Sequence, residues 1–291
     1  MSPTRTLDRY ELRRLVREAG ALLERVGVAS PEVDARVLAE HVVGRSLVMA
    51  DGASTEEVER YLALIERRAE REPLQLITGT MWFRGLELTA RPGVFIVRPE
   101  TEVVAQAAID AARAALAAGT AAPVVVDLCT GSGALAAALA VEVPAARVTA
   151  VELDDVPAAL AADNIERLAP GRVRLLRADA TAPETLAELD GAVDVVVSNP
   201  PYVPADAVED TETDRYDPDL ALYGGGADGL AVPTAIIERA AALLRPGGVL
   251  VMEHDADQST SLRAAARSAG FASASTGQDL TGRDRYLRAV R

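Results

Sequence analysis

Five short runs of apolar, valine-rich sequence most constrain what this chain can fold into. They are Val124–Leu128, Val148–Val151, Val173–Leu176, Val193–Ser198 and Gly248–Met252, each followed by a stretch of helical character. Strands that are apolar on both faces and separated by helices indicate a parallel sheet covered on both sides. Such a sheet binds its ligands beyond the carboxyl ends of the strands, near the point where strand order reverses. Chemistry-bearing residues are therefore sought where the runs end.

Ahead of this region the pattern differs. Leu12, Leu15, Val16, Ala19, Leu22, Leu23 and Val26 recur at helical spacing. Ser30-Pro31 reads as an N-cap followed by proline at the first helical position. The apolar face then comprises Val33, Val37, Leu38, His41 and Val42, with His41 packed in the core or at an interface. Ser54 and Glu57 have capping-box spacing before Val58, Leu62 and Ile65. These signals predict a helical bundle over residues 1–75. Turn signals at Arg84-Gly85 and Pro92-Gly93 predict a β-hairpin linker over residues 76–97, with Trp82 and Phe83 packing it. Residues 98–291 form the α/β domain.

Composition removes several classes. The chain has 291 residues and one cysteine, Cys129, which rules out an intrachain disulfide or a cysteine-based zinc site. Two histidines, His41 and His254, do not make a His-rich metal centre, and no metal is expected. All 30 basic residues are arginine, which excludes a Schiff-base or P-loop lysine. The N-terminus shows no apolar signal-peptide core and no run reaches membrane-span length, so a reducing cytoplasm is the expected compartment. A net charge of −14 argues against a nucleic-acid partner, whose affinity comes from neutralised phosphates.

The first site-like segment is Asp127-Leu128-Cys129-Thr130-Gly131-Ser132-Gly133, a strand running into a small-residue turn that opens a helix. Glu152 ends the next run, followed by Leu153, and can accept hydrogen bonds from both ribose hydroxyls of an adenosine. This pairing fits an NAD fingerprint as well as another adenosine cofactor. Asp127 favours a ligand with an ammonium, because a carboxylate there would repel a pyrophosphate.

The second segment is Asn199-Pro200-Pro201-Tyr202 at the end of the run Val193–Ser198. The prolines fix the backbone. Asn199 offers an acceptor and a donor, and Tyr202 an aromatic face. This set suits methylation of a planar nitrogen whose lone pair is delocalised. Fixed acceptors draw the N–H groups and turn the lone pair toward the methyl donor, so the loop supplies orientation and electrostatics rather than a strong base. Exocyclic amines of DNA bases pose the same problem and remain an alternative at this point, as does a scaffold that only binds cofactor.

With these residues in place, the chain resembles the release-factor glutamine N5-methyltransferases (the HemK/PrmC family). The resemblance rests on Arg71–Gln75, Pro92–Ile96, Arg98–Glu102, Asp127–Gly133, Ser198–Tyr202, Asp217-Pro218, Ala221–Gly225, Asp228–Leu230, Leu244–Gly248 and Asp279–Arg285 in their order and spacing. It implies a seven-stranded, Rossmann-like class I SAM-dependent methyltransferase domain, a small helical N-terminal domain that binds the substrate protein, and a hairpin linker. It implies methyl transfer from S-adenosylmethionine to the glutamine of the Gly-Gly-Gln motif of peptide chain release factors, with a ribosomal-protein glutamine as alternative. By matching position, Asp127, Cys129, Thr130, Gly131, Ser132, Gly133, Glu152, Leu153, Asp179, Ala180 and Asn199 would hold the cofactor. Arg98, Pro99, Glu100 and Thr101 would border the substrate pocket, and Asn199, Pro200, Pro201 and Tyr202 would hold the substrate amide. Three positions depart from the family pattern. Cys129 replaces the first glycine of the turn, Val97 a common proline, and Ala180 an aromatic beside the adenine. His254 is expected to be structural, Cys129 a packing residue, and the acidic stretch Glu209–Asp219 a solvated loop or a lid.

Overall fold

The computed structural model describes residues 6–207 and 210–291. The chain divides into two units, Met1–Thr80 with Asp210–Tyr216, and Met81–Glu209 with Asp217–Arg291.

The first unit contains helices Arg9–Arg25, Pro31–Val43, Thr55–Ala69, Leu74–Thr78 and Thr211–Tyr216. Asp8 and Ser54 each close a capping box with the glutamate three residues on. Ser30 precedes Pro31 as expected, but its side chain makes no capping bond. The first helix buries Leu12, Val16, Ala19 and Leu23.

The second helix differs from the sequence reading: it buries Asp34, Ala35, Leu38, Ala39, Val42 and Val43, while Val33 and His41 are exposed. The reason is a buried ion pair. Arg68 reaches Asp34 at 2.7 Å, with both side chains almost fully enclosed, which turns the face by one position. Leu62 is likewise exposed and Tyr61 takes the core position, donating to the Ala35 carbonyl at 3.1 Å. A buried phenol with one partner contributes about 1 kcal/mol through that bond. Tyr61→Phe is expected to lower the unfolding free energy by about that amount in urea titration, with the fold unchanged by circular dichroism.

The acidic stretch is not a solvated loop where it is described. Asp210 caps the helix Thr211–Tyr216, and Glu212 accepts from both Arg68 and Arg71 at 2.9 Å. Glu209 lies outside the described residues.

The second unit is built on a seven-stranded sheet. Its strands are β1 Val124–Leu128, β2 Arg147–Glu152, β3 Val173–Arg177, β4 Val193–Ser198, β5 Leu244–Glu253, β6 Ser273–Gln278 and β7 Asp284–Val290. They lie in the order β6-β7-β5-β4-β1-β2-β3. Strands β1 to β5 are parallel, while β7 runs antiparallel between β5 and β6. Continuous burial of β1, β4 and most of β5 follows from helices on both faces. The core is formed by Val126, Leu128, Val196, Ile236, Ile237, Leu250, Leu262 and Leu287. The sequence pattern did not announce β6, Ser-Ala-Ser-Thr-Gly-Gln, because an edge strand carries no continuous apolar signal.

Strands Thr80–Phe83 and Leu86–Thr89 form the hairpin, and Arg84 and Gly85 both adopt positive φ at its turn. Arg84 binds Glu142 at 2.5 Å and Gln106 at 2.8 Å, tying the turn to two helices of this unit. Phe83 is buried, whereas Trp82 is 65% exposed and does not pack the hairpin. Among the described residues no helix is long and apolar enough to cross a membrane.

Candidate active site

Strand order reverses at β1, so β2 and β4 flank it and their carboxyl ends open a crevice. The site residues follow directly from these strand ends.

After β1, Cys129 takes φ +64° and Gly131 φ +57°. The Cys129 backbone thus adopts the left-handed conformation that a glycine would take more readily, at a cost of about 1 kcal/mol. Burial, with the Glu152 and Asp127 carboxylates nearby, raises its thiol pKa, so the sulfur is a packing group and a poor nucleophile.

Glu152 ends β2. Its Oε2 accepts from the Gly131 N–H at 2.8 Å, and its Oε1 from Leu153 and Asp154 at 2.8 and 3.1 Å. One carboxylate therefore shapes both loops. Desolvation raises its pKa despite these bonds.

Asp127 sits one layer lower. It is fully buried, its Oδ2 accepts from the Thr130 hydroxyl at 2.5 Å, and its Oδ1 has no partner. Desolvation lifts its pKa to about 7. After β3, Asp179 accepts from the Thr181 N–H and hydroxyl, which fixes the Asp179-Ala180 turn.

After β4 comes the loop Asn199–Tyr202. Ser198 donates to the Leu128 carbonyl at 2.6 Å, tying the root of this loop to that of the glycine turn. Asn199 Nδ2 donates to the Thr101 hydroxyl at 3.4 Å, and Tyr202 donates to Glu253 at 3.1 Å. Gln258 holds the Tyr202 and Asp228 carbonyls at 2.8 and 3.0 Å.

The segment 221–230 lies directly on the loop. A Cβ on Gly224 would fall 2.1 Å from the Gly229 carbonyl oxygen and 2.8 Å from that of Pro201. One on Gly229 would fall 2.2 Å from the Tyr202 carbonyl oxygen. Gly229→Ala is expected to displace Tyr202 and lower kcat by about tenfold, with a loss of about 2 kcal/mol in stability. Steady-state kinetics and thermal unfolding of the same preparation measure both.

These strand ends surround one cavity of about 300 Å³. Thr101, Cys129, Thr130, Gly131, Ser132, Glu152, Leu153, Asp179, Ala180, Asn199, Pro200, Pro201 and Tyr202 all line it. Asp127, Gly133, Arg98, Pro99 and Glu100 are not part of its wall. Gly133 instead lets the helix Asp155–Leu168 approach, since a Cβ there would meet Ile165 and Ala161 at 3.2 to 3.3 Å. Arg98 pairs with buried Asp217 at 2.5 Å and lies over the Phe95 ring, 5.0 Å from its centroid. Asp217 also accepts from the Ile96 N–H. Glu100 stands at the N-cap of the helix Thr101–Ala117 and is partly exposed, as is Arg98.

Sequence reasoning missed Phe95, Leu135, Pro157, Leu220 and Leu222 in the wall. Phe95 had been assigned to the linker, and the fold brings its ring to this wall. An apolar slot with a buried carboxylate on one side fits an adenosine bearing a short polar tail.

Comparison with known proteins gives the family. A model of the PrmC N-terminal domain matches residues 14–79, and one of the methyltransferase small domain matches residues 91–215. A release factor glutamine methyltransferase of Bifidobacterium longum is 48% identical, covering 95% of this chain and 98% of its own. One from Mycolicibacterium smegmatis is 44% identical over 96% and 98%. Among solved structures, a methyltransferase from Pyrococcus furiosus superposes with a TM-score of 0.50 at 21% identity, over 72% of this chain and 89% of that one, which supports the fold alone. Identity at this level over nearly the full length of both chains shows that the protein belongs to the release factor glutamine methyltransferase family.

Proposed function

We propose that Asn199, Pro200, Pro201 and Tyr202 hold the side-chain amide of a release-factor glutamine while the neighbouring turn holds the methyl donor. The protein is an S-adenosylmethionine-dependent methyltransferase acting on the side-chain amide of glutamine in release factors. The donor, when bound, supplies an electrophilic methyl group on a sulfonium.

The observation that carries the assignment of roles is that Glu152, the Cys129–Ser132 turn and the Asn199–Tyr202 loop face one cavity. Glu152 receives the ribose hydroxyls. Its charge is already fixed by three backbone N–H groups, so little reorganisation is needed on binding. Leu153, Pro157, Ala180 and Phe95 make an apolar slot for the base. Asp127 lies beneath the turn and adds negative potential where the ammonium rests.

The glutamine amide is a weak nucleophile because its nitrogen lone pair is delocalised. Asn199 Oδ1 and the Pro200 carbonyl accept its two N–H groups, and Tyr202 covers one face. These bonds orient the nitrogen and stabilise the positive charge that develops on it. No side chain acts as a strong base; the proton leaves the methylated amide after transfer.

The target is the glutamine of the Gly-Gly-Gln motif, and the helical unit docks the release factor through exposed apolar side chains such as Val33, Val48 and Met49. The acidic balance of the chain speaks against direct DNA binding.

The test is incubation with labelled S-adenosylmethionine, a release factor, and the same factor with the motif glutamine changed to alanine. Label is expected on the first factor only. Equal label on both would overturn the choice of residue.

A further inference from the structure

Glu253 ends β5, next to β4, and the register pairs Ser198 with Met252. The residue that follows each of these is Asn199 on one strand and Glu253 on the other, so the catalytic loop and this carboxylate leave the sheet side by side. Glu253 is 1% exposed, yet it is absent from the cavity wall. A buried charge in such a position needs a reason.

Its surroundings supply one. The Tyr202 hydroxyl donates to Oε1 at 3.1 Å. The Thr101 hydroxyl, itself 1% exposed, lies against the carboxylate and stabilises its charge. That same hydroxyl accepts from Asn199 Nδ2 at 3.4 Å. Glu253 Oε2 has no hydrogen-bond partner. Of the two polar side chains of the loop, Tyr202 thus bonds the carboxylate directly, and Asn199 bonds the threonine that lies against it.

The direction of these bonds matters. A carboxylate accepts only, whereas a hydroxyl both donates and accepts. Thr101 accepts from Asn199 Nδ2, which leaves its own hydroxyl proton free to turn toward the neighbouring carboxylate, and the Asn199 amide then offers its NH₂. Its Oδ1 is then left for the substrate. A group at position 253 that could donate would allow the relay to run backwards and the amide to turn over. We infer that Glu253 is a positioning residue for methyl transfer: through Thr101 it sets which way the Asn199 amide faces, and it anchors Tyr202.

This gives a role to the C-terminal motif that the cavity itself does not explain. Arg285 on β7 lies near Glu253 and Tyr202 and favours their charged forms. It is tied to Asp279 at 3.2 Å, and Asp279 is fixed by the Thr281 hydroxyl and the N–H groups of Thr281 and Arg283. His254, the residue after Glu253, is buried and bonded through Nδ1 to the Asp255 carbonyl, and desolvation lowers its pKa. The groups acting on Glu253 are therefore Thr101, Tyr202 and Arg285, which favour its ionised form, against burial and Glu100, which oppose it. The balance leaves its pKa at about 7.

The proposal rests on Asn199 contacting the substrate amide, which Asn199→Ala tests separately. The experiment is steady-state kinetics with a release factor, together with cofactor titration by calorimetry, for Glu253→Gln, Thr101→Val and Thr101→Ser. Glu253→Gln and Thr101→Val are each expected to lower kcat tenfold or more with cofactor Kd changed less than threefold. Thr101→Ser should recover most of the rate. The double variant should be little slower than either single one, because the two act in series. Wild-type kcat should fall as pH drops below about 7, where Glu253 takes up a proton and can donate, and Glu253→Gln should lack that step. Wild-type kcat in either single variant, or a Thr101→Ser variant as slow as Thr101→Val, would overturn the inference. So would a loss of cofactor affinity in proportion to the loss of rate, which is the mark of a general structural role. If Glu253→Gln fails to fold, the Thr101 pair decides alone, since it leaves the carboxylate in place. Asn199→Ala at wild-type speed would instead bring down the reading of the loop.

Discussion

Asn199→Ala is expected to reduce kcat by roughly a thousandfold, about 4 kcal/mol of barrier, the size of effect seen when a preorganised polar group is removed from a site of developing charge. The affinity for S-adenosylmethionine should stay within a few-fold of the wild type. The argument is geometric. Asn199 is on the cavity wall with the Pro-Pro-Tyr segment that follows it, and its Nδ2 is already used by Thr101. Its remaining polar atom is the oxygen, and alanine removes it. The prolines on either side of the next peptide bonds cannot replace it with an N–H or a side-chain acceptor. Single-turnover transfer of labelled methyl to a release factor separates the chemical step from binding. Wild-type turnover in the variant would remove Asn199 from the mechanism.

Glu152→Ala is expected to weaken cofactor binding about a hundredfold or more, since two hydrogen bonds to a charged acceptor contribute roughly 1.5 to 3 kcal/mol each. The effect on the release-factor KM should be small. A stability loss accompanies it, because the Gly131, Leu153 and Asp154 N–H groups lose their acceptor together. Glu152→Gln separates the two effects. It keeps one acceptor oxygen for the loop and loses the charge, so it should retain more stability than affinity. Equilibrium dialysis and thermal unfolding give the two numbers, and unchanged affinity in both variants would remove Glu152 from the cofactor site. The sign of any pH effect follows from desolvation. The Glu152 pKa is raised, so the acceptor is lost at a higher pH than for a free glutamate. Cofactor affinity should therefore begin to fall on acidification before ordinary carboxylates titrate.

Both residues were legible in the sequence because their signals are local. A glutamate ending a valine run, and an Asn-Pro-Pro-Tyr following another, need no tertiary knowledge to be read as strand-end residues. Asp127 was read as a strand-end carboxylate close to the cofactor's ammonium; its burial beneath the turn, off the cavity wall, was not legible. Whether a side chain on a strand faces the cavity or the layer below depends on how the next turn folds over it. Arg98 is a similar case: its partner Asp217 is 119 positions away in sequence, and no local pattern announces that bond. The helical unit shows the same limit in reverse. Periodicity located its helices, yet the face of Pro31–Val43 was read one position off because apolar spacing carries no information about the buried Asp34–Arg68 pair.

The parallel sheet, the ends of its central strands and the two loops that reach the cavity are readable from the amino-acid order alone, because continuous apolar runs and fixed proline or glycine signals act over a few residues. What surrounds those loops is set by long-range packing. Phe95 comes to the cavity from the hairpin side, Gly229 presses on Tyr202, and Glu253 accepts from the Tyr202 hydroxyl. Each of these depends on the packing of segments tens to more than a hundred residues apart, where burial and hydrogen-bond geometry, rather than local propensity, select the partner.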